Sequence, residues 1–103
     1  MSKRWRVATT VDALVKGDVT AVTVDGRPIA IYDAQDGLYA SGAYCTHAGA
    51  ALEDGYFDGH LIECPLHQGC FDIRTGEPTG APVTRALRTY DVRVEGDNVE
   101  VLF

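Results

Sequence analysis

Two short stretches constrain this chain more than anything else in it. Cys45-Thr46-His47 and Cys64-Pro65-Leu66-His67 each offer one thiol and one imidazole, with sixteen residues between His47 and Cys64. Residues one apart on an extended strand point to opposite sides, so Cys45 and His47 can face one site only from an irregular loop. The fold must therefore hold two loops side by side on a rigid support. A third thiol, Cys70, follows the second stretch and makes five candidate ligands for what is usually a four-ligand task.

The support reads as β-structure. WRVAT (5–9), VTAVTV (19–24), PIAIYD (28–33), LYAS (38–41), TYDVRV (89–94) and NVEVLF (98–103) are apolar, alternating or β-branched runs. In the first, Trp5, Val7 and Thr9 alternate against Arg6 and Ala8. Asp25-Gly26-Arg27, Gln35-Asp36-Gly37 and Glu95-Gly96-Asp97 are turn signals between them. The alternation in VRVEGDNVEV predicts one core face and one wet face. TVDALVKG (10–17) allows a single helical turn, and no segment has helical periodicity over 11 residues. The chain is expected to be all-β, an antiparallel sandwich. Residues 42–80 hold seven of the eleven glycines and every Cys and His, so they read as a loop-rich subdomain within that framework.

Composition narrows the function. With 103 residues, 46% hydrophobic and 23% charged, one modest core is feasible. A net charge of −6 leaves no basic stripe for phosphate, which argues against nucleic acid and against anionic membrane surfaces. No apolar run reaches the roughly 18 residues of a membrane span. MSKRWRVATT lacks the apolar core of a secretory leader, so the cytoplasm is the expected compartment. Three cysteines fit a disulfide framework poorly, and in a reducing compartment clustered Cys and His point to metal or catalysis. No P-loop or dinucleotide fingerprint is present.

A single zinc accepts such a mixed donor set. A two-iron cluster suits the layout better, with sulfur donors for one iron and nitrogen donors for the other, each loop giving one of each. The stretches CTHAGAAL and ECPLHQGCFD, in the pattern C-x-H-x16-C-x2-H, resemble the Rieske ferredoxin family over essentially the whole chain. The wording is nearest the small ferredoxins of bacterial aromatic-ring-hydroxylating dioxygenase systems of the naphthalene and biphenyl type. That resemblance implies a single Rieske domain over 1–103, with a cluster-binding subdomain at about 42–82. It implies one 2Fe-2S cluster held by Cys45, His47, Cys64 and His67. GAPVT (80–84) looks like the family's proline loop, with Pro82 covering the cluster. It further implies a monomeric one-electron carrier rather than an enzyme, passing electrons from a flavoprotein ferredoxin reductase to a terminal Rieske non-haem iron oxygenase. The competing readings are a small Rieske subunit fixed in a larger oxidoreductase and a structural zinc domain.

The sequence departs from the respiratory Rieske pattern at four informative positions. Ala50 and Leu66 stand where a disulfide would bridge the loops; Gly69 and Phe71 stand where a Ser and a Tyr would donate hydrogen bonds to the cluster. Fewer donors stabilise the reduced state less, which predicts a potential near the roughly −150 mV end of the Rieske range. Cys70 is expected to be a buried spectator and His60 an exposed turn residue. Glu53, Asp54, Asp58 and Glu63 are expected on a solvated face. Trp5, Tyr32, Tyr39, Tyr90 and Phe103 are expected in the core or its rim, and Tyr44, Tyr56 and Phe57 beneath the cluster loops.

Overall fold

The computed structural model describes residues 2–46, 49–66, 69–79 and 85–103. The strands are β1 (Trp5–Thr10), β2 (Val19–Val24), β3 (Arg27–Ala34), β4 (Gly37–Gly42), β5 (Tyr56–Asp58), β6 (Leu61–Glu63), β7 (Cys70–Asp72), β8 (Thr89–Tyr90), β9 (Val92–Glu95) and β10 (Asn98–Leu102). They form three antiparallel sheets, in the orders β1-β10-β9, β2-β3-β4-β8 and β5-β6-β7. Among the described residues, the helical turns are the 3-10 turns Val11–Ala13 and Leu52–Asp54. No helix among them is long and apolar enough to cross a membrane.

Strand β3 explains the arrangement. Its even and odd positions face opposite ways, and both faces are covered. Ile29 and Ile31 join Val24, Ala40, Val99 and Val101 in a core between the first two sheets. Ala30, Tyr32 and Ala34 turn the other way, into a second core with Leu52, Ile62, Phe71, Ile73 and the two box cysteines. A strand buried on both sides must be apolar throughout, which is why PIAIY does not alternate. Each buried isoleucine contributes roughly 1.5–3 kcal/mol.

The β2–β3 turn follows from Asp25-Gly26. Both residues have positive φ, 49° and 79°, as a two-residue type I′ hairpin requires. Strand β1 departs from its predicted alternation. Arg6 pairs with buried Val101 and Val7 with Glu100, so Val7 lies on the wet face and is exposed, while Ala8 packs on the core. The register slip between Val7 and Thr9 then sets Thr9 opposite Val99, on the same side as Ala8. The long run 89–94 is likewise broken at Asp91 into β8 and β9, which belong to different sheets. Val94 is exposed because β9 is a sheet edge, while Val99 and Val101 beside it are fully buried.

The loop-rich reading of the middle missed the third sheet. YFD, LIE and CFD are short strands around the Asp58-Gly59-His60 turn. Three residues are too few for a period to stand out, and the glycines on either side read as loop.

Candidate metal centre

The two boxes are built on matching hairpin ends. In the first, Tyr44 bridges Ala51, and the Cys45 N–H donates to the Ala50 carbonyl at 2.8 Å. In the second, Glu63 pairs with Cys70, and the Cys64 N–H donates to the Gly69 carbonyl at 2.7 Å. The offsets are the same: a closing pair seven positions apart, and a cysteine bonded five positions on. Each hairpin thus sets its cysteine at the first position inside the closing pair, held by its own backbone. Gly49, at φ 68°, lets the first loop turn back, and its N–H donates to the Cys45 carbonyl at 2.9 Å.

Both cysteines are buried, Cys45 at 3% and Cys64 at 1% exposure, in the same apolar core. Burial pushes the Cys64 thiol up, and the neighbouring Cys45 thiol, within hydrogen-bonding reach, pushes it further; a backbone N–H from Leu66 to the sulfur acts the other way. Two thiols meeting in a low-dielectric pocket cannot both ionise without a compensating cation. A ferric or zinc ion supplies that charge, so the donor chemistry fits a thiolate-bound metal. The Leu66 N–H is a donor with no signature in the sequence, because it comes from backbone geometry.

His47 and His67 lie outside the described residues, as do residues 80–84, the stretch with Pro82 expected to cover the cluster. Flanking contacts are described. The Thr46 hydroxyl donates to the Arg85 carbonyl at 2.7 Å, fastening the first box to the chain that follows residues 80–84. Gly55 presses on the Glu63 carbonyl, one residue before Cys64, where a Cβ would collide. Gly76 is packed in the same way on the Leu87 carbonyl and has φ 82°.

Several expectations need correction. Cys70 is half-buried, not buried, and serves as the closing strand residue of the second hairpin, the counterpart of Ala51. Its thiol donates to a Glu63 carboxylate oxygen at 3.9 Å, and burial followed by that carboxylate pushes it up. His60 is in the expected turn but is not simply exposed. Its Nε2 lies 3.0 Å from Asp36 Oδ1, and its ring meets the edge of Tyr39 at 5.7 Å. The Tyr39 hydroxyl donates to the other oxygen of Asp36 at 2.9 Å. His60, then Tyr39, hold the Asp36 carboxyl below its ordinary range. This cluster ties the β5–β6 turn to the β3–β4 turn. Tyr44 and Tyr56 are exposed at 53% and 66%, so only Phe57 of the three packs inward, 5.5 Å from Tyr32.

Phe71 is fully buried in the core that holds Cys45 and Cys64, and Gly69 is buried at the base of the second loop. Leu66 is 51% exposed, and no described cysteine is in a disulfide.

Two matched loops that present buried, adjacent cysteines from the end of a β-sandwich are the support of an iron–sulfur domain. The chain belongs to the Rieske [2Fe-2S] domain family, whose model matches residues 4–91. It is 43% identical over 101 residues to the ferredoxin component of the naphthalene 1,2-dioxygenase system of Pseudomonas aeruginosa, a match covering 98% of this chain and 97% of that one. Its fold is similar to the ferredoxin of carbazole 1,9a-dioxygenase from Nocardioides aromaticivorans IC177, with a TM-score of 0.85, 43% identity and coverage of 98% and 97%. A complex of reduced oxygenase and oxidized ferredoxin in carbazole 1,9a-dioxygenase contains a similar chain, with a TM-score of 0.85, 36% identity and coverage of 94% and 91%.

Proposed function

We propose that this protein is the ferredoxin component of an aromatic-ring-hydroxylating dioxygenase system, an electron carrier and not the catalytic enzyme. The observation that carries the reading is the pair of matched hairpins setting Cys45 and Cys64 side by side in one core. Near-full-length similarity to ferredoxin components supports it.

In this reading residues 1–103 form a single Rieske domain, with a cluster-binding subdomain at about 42–82. Cys45 and Cys64 hold one iron; His47 and His67 hold the other. When bound, the 2Fe-2S cluster supplies a one-electron couple. The protein's own groups do the rest. Leu52, Ile62 and Phe71 exclude water from the thiolate side, and the Leu66 N–H steadies one sulfur. Gly69 and Phe71 bring no hydroxyl to it, so the potential is near the roughly −150 mV end of the Rieske range. A flavoprotein ferredoxin reductase donates the electron and a terminal Rieske non-haem iron oxygenase accepts it. The protein works as a monomer in the cytoplasm.

The test is a redox titration followed by reduced-state EPR, then turnover with a purified reductase and oxygenase of this type. The expected result is a Rieske signal, a low potential and product formation that depends on this protein. A clearly positive potential overturns the low-potential assignment. A colourless, EPR-silent protein with one zinc overturns the reading as a whole.

A further inference from the structure

The chain is acidic, yet its cations are not spread evenly. It has nine Lys and Arg against fifteen Asp and Glu. Arg74 and Arg93 are neutralised locally, Arg74 by Asp72 at 2.8 Å and Arg93 by Glu100 at 2.8 Å. Four others, Lys3, Arg6, Arg27 and Arg88, line a single open groove of about 440 Å³ with Asp25 and Phe103. Asp25 is the one acidic side chain there; Arg6 takes it at 2.6 Å and also donates from Nε to the Phe103 main-chain oxygen at 3.1 Å. Counted over side chains, four cations against one carboxylate leave an excess of three positive charges. Among the described residues, no carboxylate lies within ion-pair distance of Arg27 or Arg88.

The guanidinium groups are set against aromatic rings. Those of Arg6 and Arg27 each lie 4.3 Å from the centroid of the Phe103 ring, and those of Arg27 and Arg88 each lie 5.9 Å from that of Tyr90. Stacking of this kind holds a planar cation in place. Arg6 is engaged by Phe103 and Asp25, and Arg27 Nη1 donates to the Tyr90 hydroxyl at 3.4 Å; the remaining N–H groups of Arg27 and those of Arg88 are left for a carboxylate. The groove is also joined to the first box. The Gly42 N–H donates to the Arg88 carbonyl at 2.9 Å and the Ala43 N–H to the Pro28 carbonyl at 3.3 Å, three and two residues before Cys45. Glu53, Asp54 and Asp58, by contrast, are exposed on the segment between the two boxes.

We propose that this groove seats an acidic surface segment of a redox partner protein. The proposal rests on the electron-carrier reading. The cations come from β1, the β2–β3 hairpin, the stretch before β8 and the N-terminal residues, so they spread around Phe103 and do not converge on one point. That suits several carboxylates on a protein surface better than one small anion. A basic groove on a chain that also exposes an acidic segment gives docking two signs of charge, and two signs fix rotation as well as approach.

The test uses the holoprotein and its Arg27→Gln/Arg88→Gln variant, each varied as the electron-carrying substrate of a purified flavoprotein reductase and of a purified terminal oxygenase at low salt. The expected result is a KM raised about five- to tenfold with one of the two, at unchanged kcat and unchanged EPR. The difference should vanish near 0.5 M salt, where the Debye length is only about 4–5 Å. Arg27→Lys/Arg88→Lys should recover part of the affinity. In a parallel NMR titration, a hexaglutamate peptide should shift the Arg27 and Arg88 Nε–H resonances while equimolar inorganic phosphate does not. An unchanged KM with both partners overturns the proposal, as does a KM difference that survives high salt. Equal shifts with phosphate mean a free-anion site and overturn it too. Wild-type protein that serves neither partner at any salt defeats the carrier reading; an active wild type with an unaffected variant defeats the groove alone.

Discussion

On one face of β3, Ile29 and Ile31 meet Val99 and Val101 in a core whose buried members are all aliphatic. On the other face, Ala30 and Tyr32 meet Phe71, Cys45 and Cys64, and a polar chain is buried with them. The Tyr32 hydroxyl lies 2.8 Å from Ser41 Oγ, which donates to the Gly42 carbonyl at 2.9 Å. Ser41 has one hydrogen, so Tyr32 is the donor in the first contact. The same strand therefore carries a face that supplies cohesion and a face that supplies chemistry. The first needs only the right volume. The second must leave two thiols adjacent and every buried polar atom satisfied, and no described side-chain polar atom there is without a partner.

That contrast can be broken most severely at the cysteines. Cys64→Ser or Cys45→Ser should remove the iron altogether, read as loss of visible absorbance and of two irons per chain. Retention of both irons in either variant would falsify the ligand assignment. On the opposite face, Ile31→Ala should cost about 2–5 kcal/mol in denaturant unfolding, the range for a buried aliphatic truncated to alanine. It should leave the iron content and the potential alone; a shifted potential would mean that the two faces are not separable.

The alkaline limb sharpens the comparison. Burial pushes the Tyr32 hydroxyl up from 10.0 to about 12, partly offset by Ser41. Below pH 10 both folded and unfolded chains keep this proton, and its contribution is constant. Between 10 and 12 the unfolded chain loses it first, so stability falls by about 3 kcal/mol across that window. Tyr32→Phe should cost about 1 kcal/mol at neutral pH through the lost hydrogen bond. It should also flatten that part of the alkaline decline, followed by urea unfolding at pH 9, 11 and 12. The smallest effect is expected at Cys70, where Cys70→Ser should keep the cluster and its spectrum. Bleaching there would make Cys70 more than a hairpin-closing residue.

Much of this was legible in the sequence. The framework strands fell where apolar runs and Asp-Gly or Gly-Asp turns put them, with β2 at 19–24 to the residue. The boxes were found because Cys and His are rare enough for spacing to stand out. What could not be read was set by contacts distant in sequence. Ala8 faces inward because its neighbour Val7 pairs with Glu100 on the wet face of β10, far along the chain. His60 is partly covered because Asp36, 24 residues away, folds back on it. Cys70 looked like a surplus ligand because nothing local shows that it pairs with Glu63.

One consequence of the doubly covered strand concerns solvent exchange. The amides of Ile29, Ala30, Ile31 and Tyr32 sit between β2 and β4 within the sheet, and their side chains are fully buried on both faces. Opening either neighbouring layer alone leaves the other in place, so these amides should exchange with deuterium only when the whole chain unfolds. They would then report global stability, while amides of the β5–β7 sheet, packed on one face alone, would report how often the cluster end opens by itself.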